Sequence, residues 1–248
     1  MVKGLDTFRE FFEEYEDQYV LIGGAACDIA FESNDVSFRA TRDLDMVLII
    51  EALTPDFGEK FWDFIVAGKY RNKSTNSGKP QFYRFDKPED DSFPKMIELF
   101  CRSDFELKKA EGITPVHIDD EISSLSAILL DDDYYRVLLN GKTIRNSLSV
   151  LRPEYIILFK AKAYLDLKAR KDSGESVDSK DIRKHKQDIL RITAELMLDK
   201  VEGLPDSVYR DIEQFINVLE QEPLDNNSLK LYGLKNDEVI TALKRVFM

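Results

Sequence analysis

The sequence predicts an α+β protein: a mixed β-sheet with flanking helices up to about residue 150, then a C-terminal helical bundle. Three observations predict it. Short apolar runs of strand length, punctuated by Gly, Pro, Asn and Asp, fill the first part of the chain. Helical periodicities of up to about 20 residues follow Arg152-Pro153. Between them the segment Val20 to Ile50, VLIGGAACDIAFESNDVSFRATRDLDMVLII, ends one apolar run on two glycines and opens the next on Asp-x-Asp.

The elements follow in order. Leu5, Phe8, Phe11, Phe12 and Tyr15 recur at helical spacing and predict an amphipathic helix over 5–17. QYVLI is a short buried strand, broken by Gly23-Gly24, after which AACDIAFE is a helix. LDMVLIIE is almost wholly apolar and predicts a strand covered on both faces. TPDFGEKFWDFIVAG opens on Thr54-Pro55, a helix start. QFYRF and FPKMIELFC predict two more strands across the polar turn DKPEDDS. TPVHI, SLSAILL, YYRVLL and KTIRN predict shorter strands, with Asn140-Gly141 as a hairpin signal. Then come helices in PEYIILFKAKAYLDLKARK, in SKDIRKHKQDILRITAELML with Ser179 as N-cap, in LPDSVYRDIEQFINVLEQ and in NDEVITALKRVF. The expected division is a mixed α/β domain over 1–150 and a helical domain over 151–248.

Composition bounds the function. The 248 residues are 43% hydrophobic and 33% charged, enough for a real core under a solvated surface. Cys27 and Cys101 are the only cysteines, so neither a disulfide framework nor a structural zinc site is expected. The first twenty residues carry acids through their apolar periodicity, unlike a signal peptide, and no apolar run reaches membrane-span length. A cytoplasmic protein is expected. The net charge of −12 argues against broad, nonspecific nucleic-acid binding. It leaves room for a local basic surface, because ten Lys and Arg residues lie within 160–191 while 86–133 is mainly acidic.

Asp43 and Asp45 are the first chemical signal. Side chains at i and i+2 of a strand share a face, so both carboxylates point one way. Two carboxylates held this close repel and favour a shared hard cation such as Mg²⁺. Read alone, the pair is equally a solvated turn before a strand. Gly23 and Gly24 are the second signal: a strand-to-helix turn without side chains lets phosphate approach backbone N–H groups. Neither a P-loop nor a Gly-x-Gly-x-x-Gly pattern is present. Glu98 is the third, a lone acid in the apolar run KMIELF, where it needs a partner or an ion unless the strand is a solvent-facing edge.

In this order the motifs resemble the nucleotidyltransferase superfamily, whose fold is polymerase-β-like. Downstream, LFKAKAYLDLKARK followed by DSKDIRKHKQDI resembles its AbiEii toxin branch. The chain departs from that branch in carrying Gly-Gly where Gly-Ser is frequent, and in a longer segment before the aspartates. The resemblance implies a nucleotidyltransferase with two Mg²⁺ ions, Mn²⁺ being the alternative. Asp43, Asp45 and Glu98 would be its metal ligands. Gly23, Gly24, Thr41, Arg42 and Lys160 would bind the nucleotide. Lys160 and Asp181, matched on the helix after the sheet and on the start of the next helix, would join the catalytic set. It further implies transfer of a nucleoside monophosphate from a triphosphate (ATP or GTP) to a tRNA or protein hydroxyl, in a toxin–antitoxin or phage-defence system with a cognate antitoxin and no membrane partner. The alternatives are a phosphotransferase on the same fold and a catalytically inactive nucleotide-binding protein.

Overall fold

A computed structural model describes residues 3–32, 43–72, 82–100, 128–129 and 131–248. Thr41, Arg42, Cys101, His117 and the expected strand TPVHI lie outside them, as does all of SLSAILL but residues 128–129. The chain divides into two compact units, residues 1–117 with 142–152, and residues 118–141 with 153–248.

The first unit is built on a mixed sheet that has seven strands among the described residues. In chain order they are β1 (Tyr19–Leu21), β2 (Asp43–Leu48), β3 (Arg71–Asn72), β4 (Phe82–Asp86), β5 (Met96–Phe100), β6 (Lys142–Arg145) and β7 (Leu148–Leu151). The spatial order is β3-β4-β5-β2-β1-β7-β6. β2 pairs parallel with β5, and β1 parallel with β7, whereas β1–β2 and β4–β5 are antiparallel. β2 is therefore an interior strand, which explains its unbroken apolar run from Met46 to Ile49.

Among the described residues three helices belong to this unit: α1 (Leu5–Phe12), α2 (Gly23–Glu32) and α3 (Pro55–Ala67). α1 is shorter than its periodicity predicts. It still delivers Phe8 and Phe12 into an aromatic cluster with Tyr19, Phe57, Phe61 and Phe64. Phe61 and Trp62 of α3 meet Phe85 of β4 edge-on, so α3 covers the face of the sheet to which Phe85 points. Thr54 caps α3 as predicted, accepting from Phe57 N at 3.3 Å. Buried Gln18 holds that cap, its Oε1 accepting from Thr54 N at 2.9 Å, and its backbone oxygen accepts from Ile49 N at 2.9 Å. The entrance of β1 and the exit of β2 are thus tied to the start of α3.

Two expectations are corrected here. YYRVLL is not a strand but part of α4 (Asp132–Gly141). Asp131 caps that helix, its Oδ1 accepting from Asp133 N and Tyr134 N. Asn140-Gly141 ends α4, and the β6–β7 hairpin turns instead at Asn146-Ser147, whose φ angles of 50° and 55° are those of a left-handed two-residue turn.

The second unit is helical among its described residues: α4, α5 (Pro153–Asp172), α6 (Ser179–Glu195), α7 (Asp206–Gln221), α8 (Asn226–Leu231) and α9 (Asn236–Phe247). α5 is buried nearly all round over its first half, as a central helix must be. Its last turns carry Arg170 and Lys171, where cations favour the helix dipole. α6 is capped by Asp178, which accepts from Lys180 N at 2.9 Å, and not by Ser179 as the sequence predicts. Among the described residues no helix is long and apolar enough to cross a membrane.

Candidate active site

Strand register assembles the site. Asp45 on β2 lies opposite Glu98 on β5, and Glu98 lies opposite Arg84 on β4. Residues in register across neighbouring strands point to the same face, so one row carries Asp45, Glu98 and Arg84. Asp43, two residues earlier on β2, shares that face. The alternate residues Leu44 and Ile97 are wholly buried on the opposite face, in register with Phe85. The charged row therefore lies on one side of the sheet, and an apolar layer lies behind it on the other.

Glu98 is the most buried acid of the row, 7% exposed, while Asp43 and Asp45 are half-buried. Arg84 grips one oxygen of Glu98: Nε and Nη2 both donate to Oε1, at 2.8 and 2.5 Å. The Asp45 carboxyl hydrogen-bonds Glu98 from the other side. Burial, and then the charge of Asp45, push the Glu98 carboxyl up to about 8, against the opposing pull of Arg84.

Gly23 closes the row at its edge. It sits at φ +60°, and a Cβ there would come within 2.1 Å of Asp45 Oδ2. Ile22 N donates to the backbone oxygen of Asp45 at 3.0 Å. The strand-to-helix turn and the Asp-x-Asp strand are therefore in direct contact, and the contact leaves no room for a side chain at residue 23. Gly24 is buried in the first turn of α2. Thr41 and Arg42, expected beside them, fall outside the described residues.

The donor set is hard oxygen, suited to Mg²⁺ or Mn²⁺. Among the described residues no group of three or more His, Cys, Asp or Glu is gathered to hold a metal on its own. Asp43 and Asp45 fit an ion whose shell is completed by oxygens of a bound phosphate.

Lys160 and Asp181 belong to the second unit. Lys160, on α5, is 8% exposed and donates to Asp188 Oδ2 of α6 at 2.7 Å. The buried ammonium thus has an anion in Asp188, a residue that the sequence does not single out. Asp181 lies half-buried in the first turn of α6, where a negative charge suits the helix N-terminus. His185 is 5% exposed, one turn before Asp188. Lys162 bridges Asp166 and Asp211, 3.3 Å from each.

Arg84 is the functional candidate that sequence reasoning missed. Its signal was present: a cation at the centre of the run QFYRF, where a buried strand tolerates one only beside an acid.

Comparison with known proteins gives little. No protein-family model and no curated protein matches the chain. One similar solved structure is the crystal structure of an antigenic nucleotidyltransferase-like protein from Paracoccidioides brasiliensis. It is 16% identical, with a TM-score of 0.46, over 98% of this chain and 93% of that one.

Proposed function

We propose that this chain is a divalent-ion-dependent nucleotidyltransferase of the polymerase-β-like superfamily, in its AbiEii toxin branch. The observation that carries the reading is the meeting of Gly23, Asp45 and Glu98. A glycine turn, the second acid of Asp-x-Asp and an acid of the parallel neighbouring strand lie against one another, although they are scattered over 75 positions of sequence (23 to 98).

In this reading Asp43 and Asp45 hold the ion and, through it, orient the triphosphate. The bound ion supplies charge neutralisation on the phosphate oxygens as the phosphoryl centre is attacked. Gly23 and Gly24 give the phosphates backbone N–H groups at the start of α2. Glu98 takes the proton of the acceptor hydroxyl. Its elevated affinity for protons, set by burial and by Asp45, suits a general base working near neutral pH. Lys160, which has Asp188 as a counter-ion, and Asp181 stay in the proposed set on the resemblance of their helices alone. A nucleoside monophosphate passes to a tRNA or protein hydroxyl and pyrophosphate leaves. The biological role proposed is that of the toxin-type partner of a bacterial two-gene or phage-defence system, paired with an antitoxin.

The test is transfer of label. The protein is incubated with Mg²⁺ and triphosphates labelled at the α or γ position, in an extract of total RNA and protein. Label from the α position is expected on a macromolecule, and Asp43→Asn is expected to abolish it. Label from the γ position alone would establish a phosphotransferase instead. α-Labelling that survives Asp43→Asn would refute the proposed ion site.

A further inference from the structure

On the proposed nucleotidyltransferase reading, we infer that Arg84 is a positioning residue of the transfer. Its guanidinium holds the Glu98 carboxyl beside Asp45, and it affects the rate only through Glu98.

Three observations lead to it. First, the sheet crowds Glu98 with like charge. Asp45 stands directly opposite it on β2. Asp43 and Asp86 both stand opposite Met96, two residues earlier on β5, so each is a diagonal neighbour of Glu98 on the same face. Three acids thus approach it from two strands. A glutamate side chain is long and rotatable, and like charge turns an unheld carboxylate away from its neighbours. Second, the register supplies the restraint. Arg84 stands directly opposite Glu98 on β4, the flank away from Asp45. Nε and Nη2 both donate to Oε1, at 2.8 and 2.5 Å. Two donors of one rigid plane fix the side from which that oxygen is held, and these two bonds do not claim Oε2. Third, the contact is sheltered. The side chains of Arg84 and Glu98 are 24% and 10% exposed, so water screens the pair less than it screens a surface ion pair.

The order of the strands says what the restraint is for. The Gly23 turn touches Asp45 on β2, Glu98 lies on the next strand and Arg84 on the one beyond. In the proposed transfer the triphosphate lies at the Gly23 end of this row. Glu98 takes the proton of the acceptor hydroxyl, whose oxygen bonds to the α-phosphorus as the bond to pyrophosphate breaks. Arg84 lies behind Glu98 as seen from the triphosphate. Its loss leaves the triphosphate's own binding groups in place and misplaces the acid that takes the proton, and a misplacement of about 1 Å costs a rate about 100-fold.

The test is the rate of label transfer from α-labelled ATP or GTP, with Mg²⁺, to an extract of total RNA and protein. It is measured against triphosphate concentration for the full chain and for variants that are folded by circular dichroism. Arg84→Met is expected to lower the maximal rate about 100-fold and to leave the half-saturating triphosphate concentration within about twofold. Arg84→Lys keeps the charge and loses the fork, and is expected to recover about tenfold of that loss. In a Glu98→Gln background Arg84→Met is expected to change the residual rate by less than about twofold, because a residue that acts through Glu98 has nothing left to hold. A maximal rate for Arg84→Met equal to that of the unaltered chain would overturn the inference and leave the nucleotidyltransferase reading standing. Losses that multiply in the double variant would also overturn it, since Arg84 would then act on something other than Glu98. So would a raised half-saturating concentration at unchanged maximal rate, which would assign Arg84 to triphosphate binding. Should Arg84→Met not fold, Arg84→Lys is read in its place, and an unchanged maximal rate overturns the inference. Should Glu98→Gln leave no measurable rate, a crystal structure of the Arg84 variant decides: a Glu98 carboxyl displaced from Asp45 is expected, and an unmoved one overturns the inference. No α-label transfer by the unaltered chain would overturn the nucleotidyltransferase reading and this inference together.

Discussion

Each unit of the molecule buries an ion pair, and the two pairs differ in what surrounds them. In the helical unit Lys160 donates to Asp188 at 2.7 Å, with side chains 9% and 6% exposed. In the sheet unit Arg84 meets Glu98, but Asp45 crowds the same acid and Asp43 stands two residues away on β2. The helical contact sets one base against one acid. The sheet row sets three acids on one face beside one base. A neutral buried pair costs desolvation and returns it as Coulombic attraction within the fold. An acidic excess beside a side-chain-free turn is a standing cost that a bound cation relieves. That difference is why the sheet cluster, and not the tighter helical pair, is assigned the ion.

The largest expected effect breaks the contrast from the helical side. Asp188→Ala leaves the Lys160 ammonium buried without its anion and is expected to cost about 3–5 kcal/mol in urea unfolding. Arg84→Met is expected to cost only about 1–2 kcal/mol at pH 7, because Glu98 can keep a proton in place of the lost partner. Equal losses at the two positions would remove the distinction between a closed pair and a cluster awaiting a cation.

Next is Gly23→Ala. It puts a Cβ into the space of Asp45 Oδ2 at a φ of +60°, displacing the acid by a good fraction of an ångström. An about 100-fold loss of α-label transfer is expected, with the fold retained. Transfer within about twofold of the unaltered protein would show that the contact between the turn and Asp45 is only structural.

A pH dependence breaks the contrast from the sheet side. The folded state raises the Glu98 carboxyl from 4.5 to about 8, so it holds that proton more tightly than the unfolded chain. The resulting stability is present below pH about 4.5 and is lost as the pH rises through 8. Gln at this position does not titrate. The Tm of Glu98→Gln relative to the unaltered protein is therefore expected to climb between pH 5 and pH 9. A difference independent of pH would mean that the carboxyl is not perturbed by its neighbours.

What the sequence disclosed and what it hid follow from the range of the interactions. Strand, Gly-Gly, helix, Asp-x-Asp and strand are local signals, and they fall as predicted from Tyr19 to Leu48 among the described residues. The alternation that set Glu98 apart from Ile97 and Leu99 is likewise local. Arg84 was hidden because its meaning depends on β4 pairing with β5, a long-range choice that periodicity does not encode. Asp188 was hidden for a similar reason: several acids of α6 were available to Lys160, and only the packing of α5 on α6 selects one. YYRVLL misled because a short apolar, aromatic run suits either a strand or a buried helix face. The Asp131 cap, which decides for helix, is in sequence only the first of three consecutive aspartates.

The most direct test of the account is an anomalous difference map from a crystal of the protein soaked in Mn²⁺. The account predicts a peak at coordination distance, roughly 2.2 Å, from carboxylate oxygens of Asp43 and Asp45 beside Gly23, and none at Lys160–Asp188. No peak at the two aspartates at saturating Mn²⁺ would contradict it.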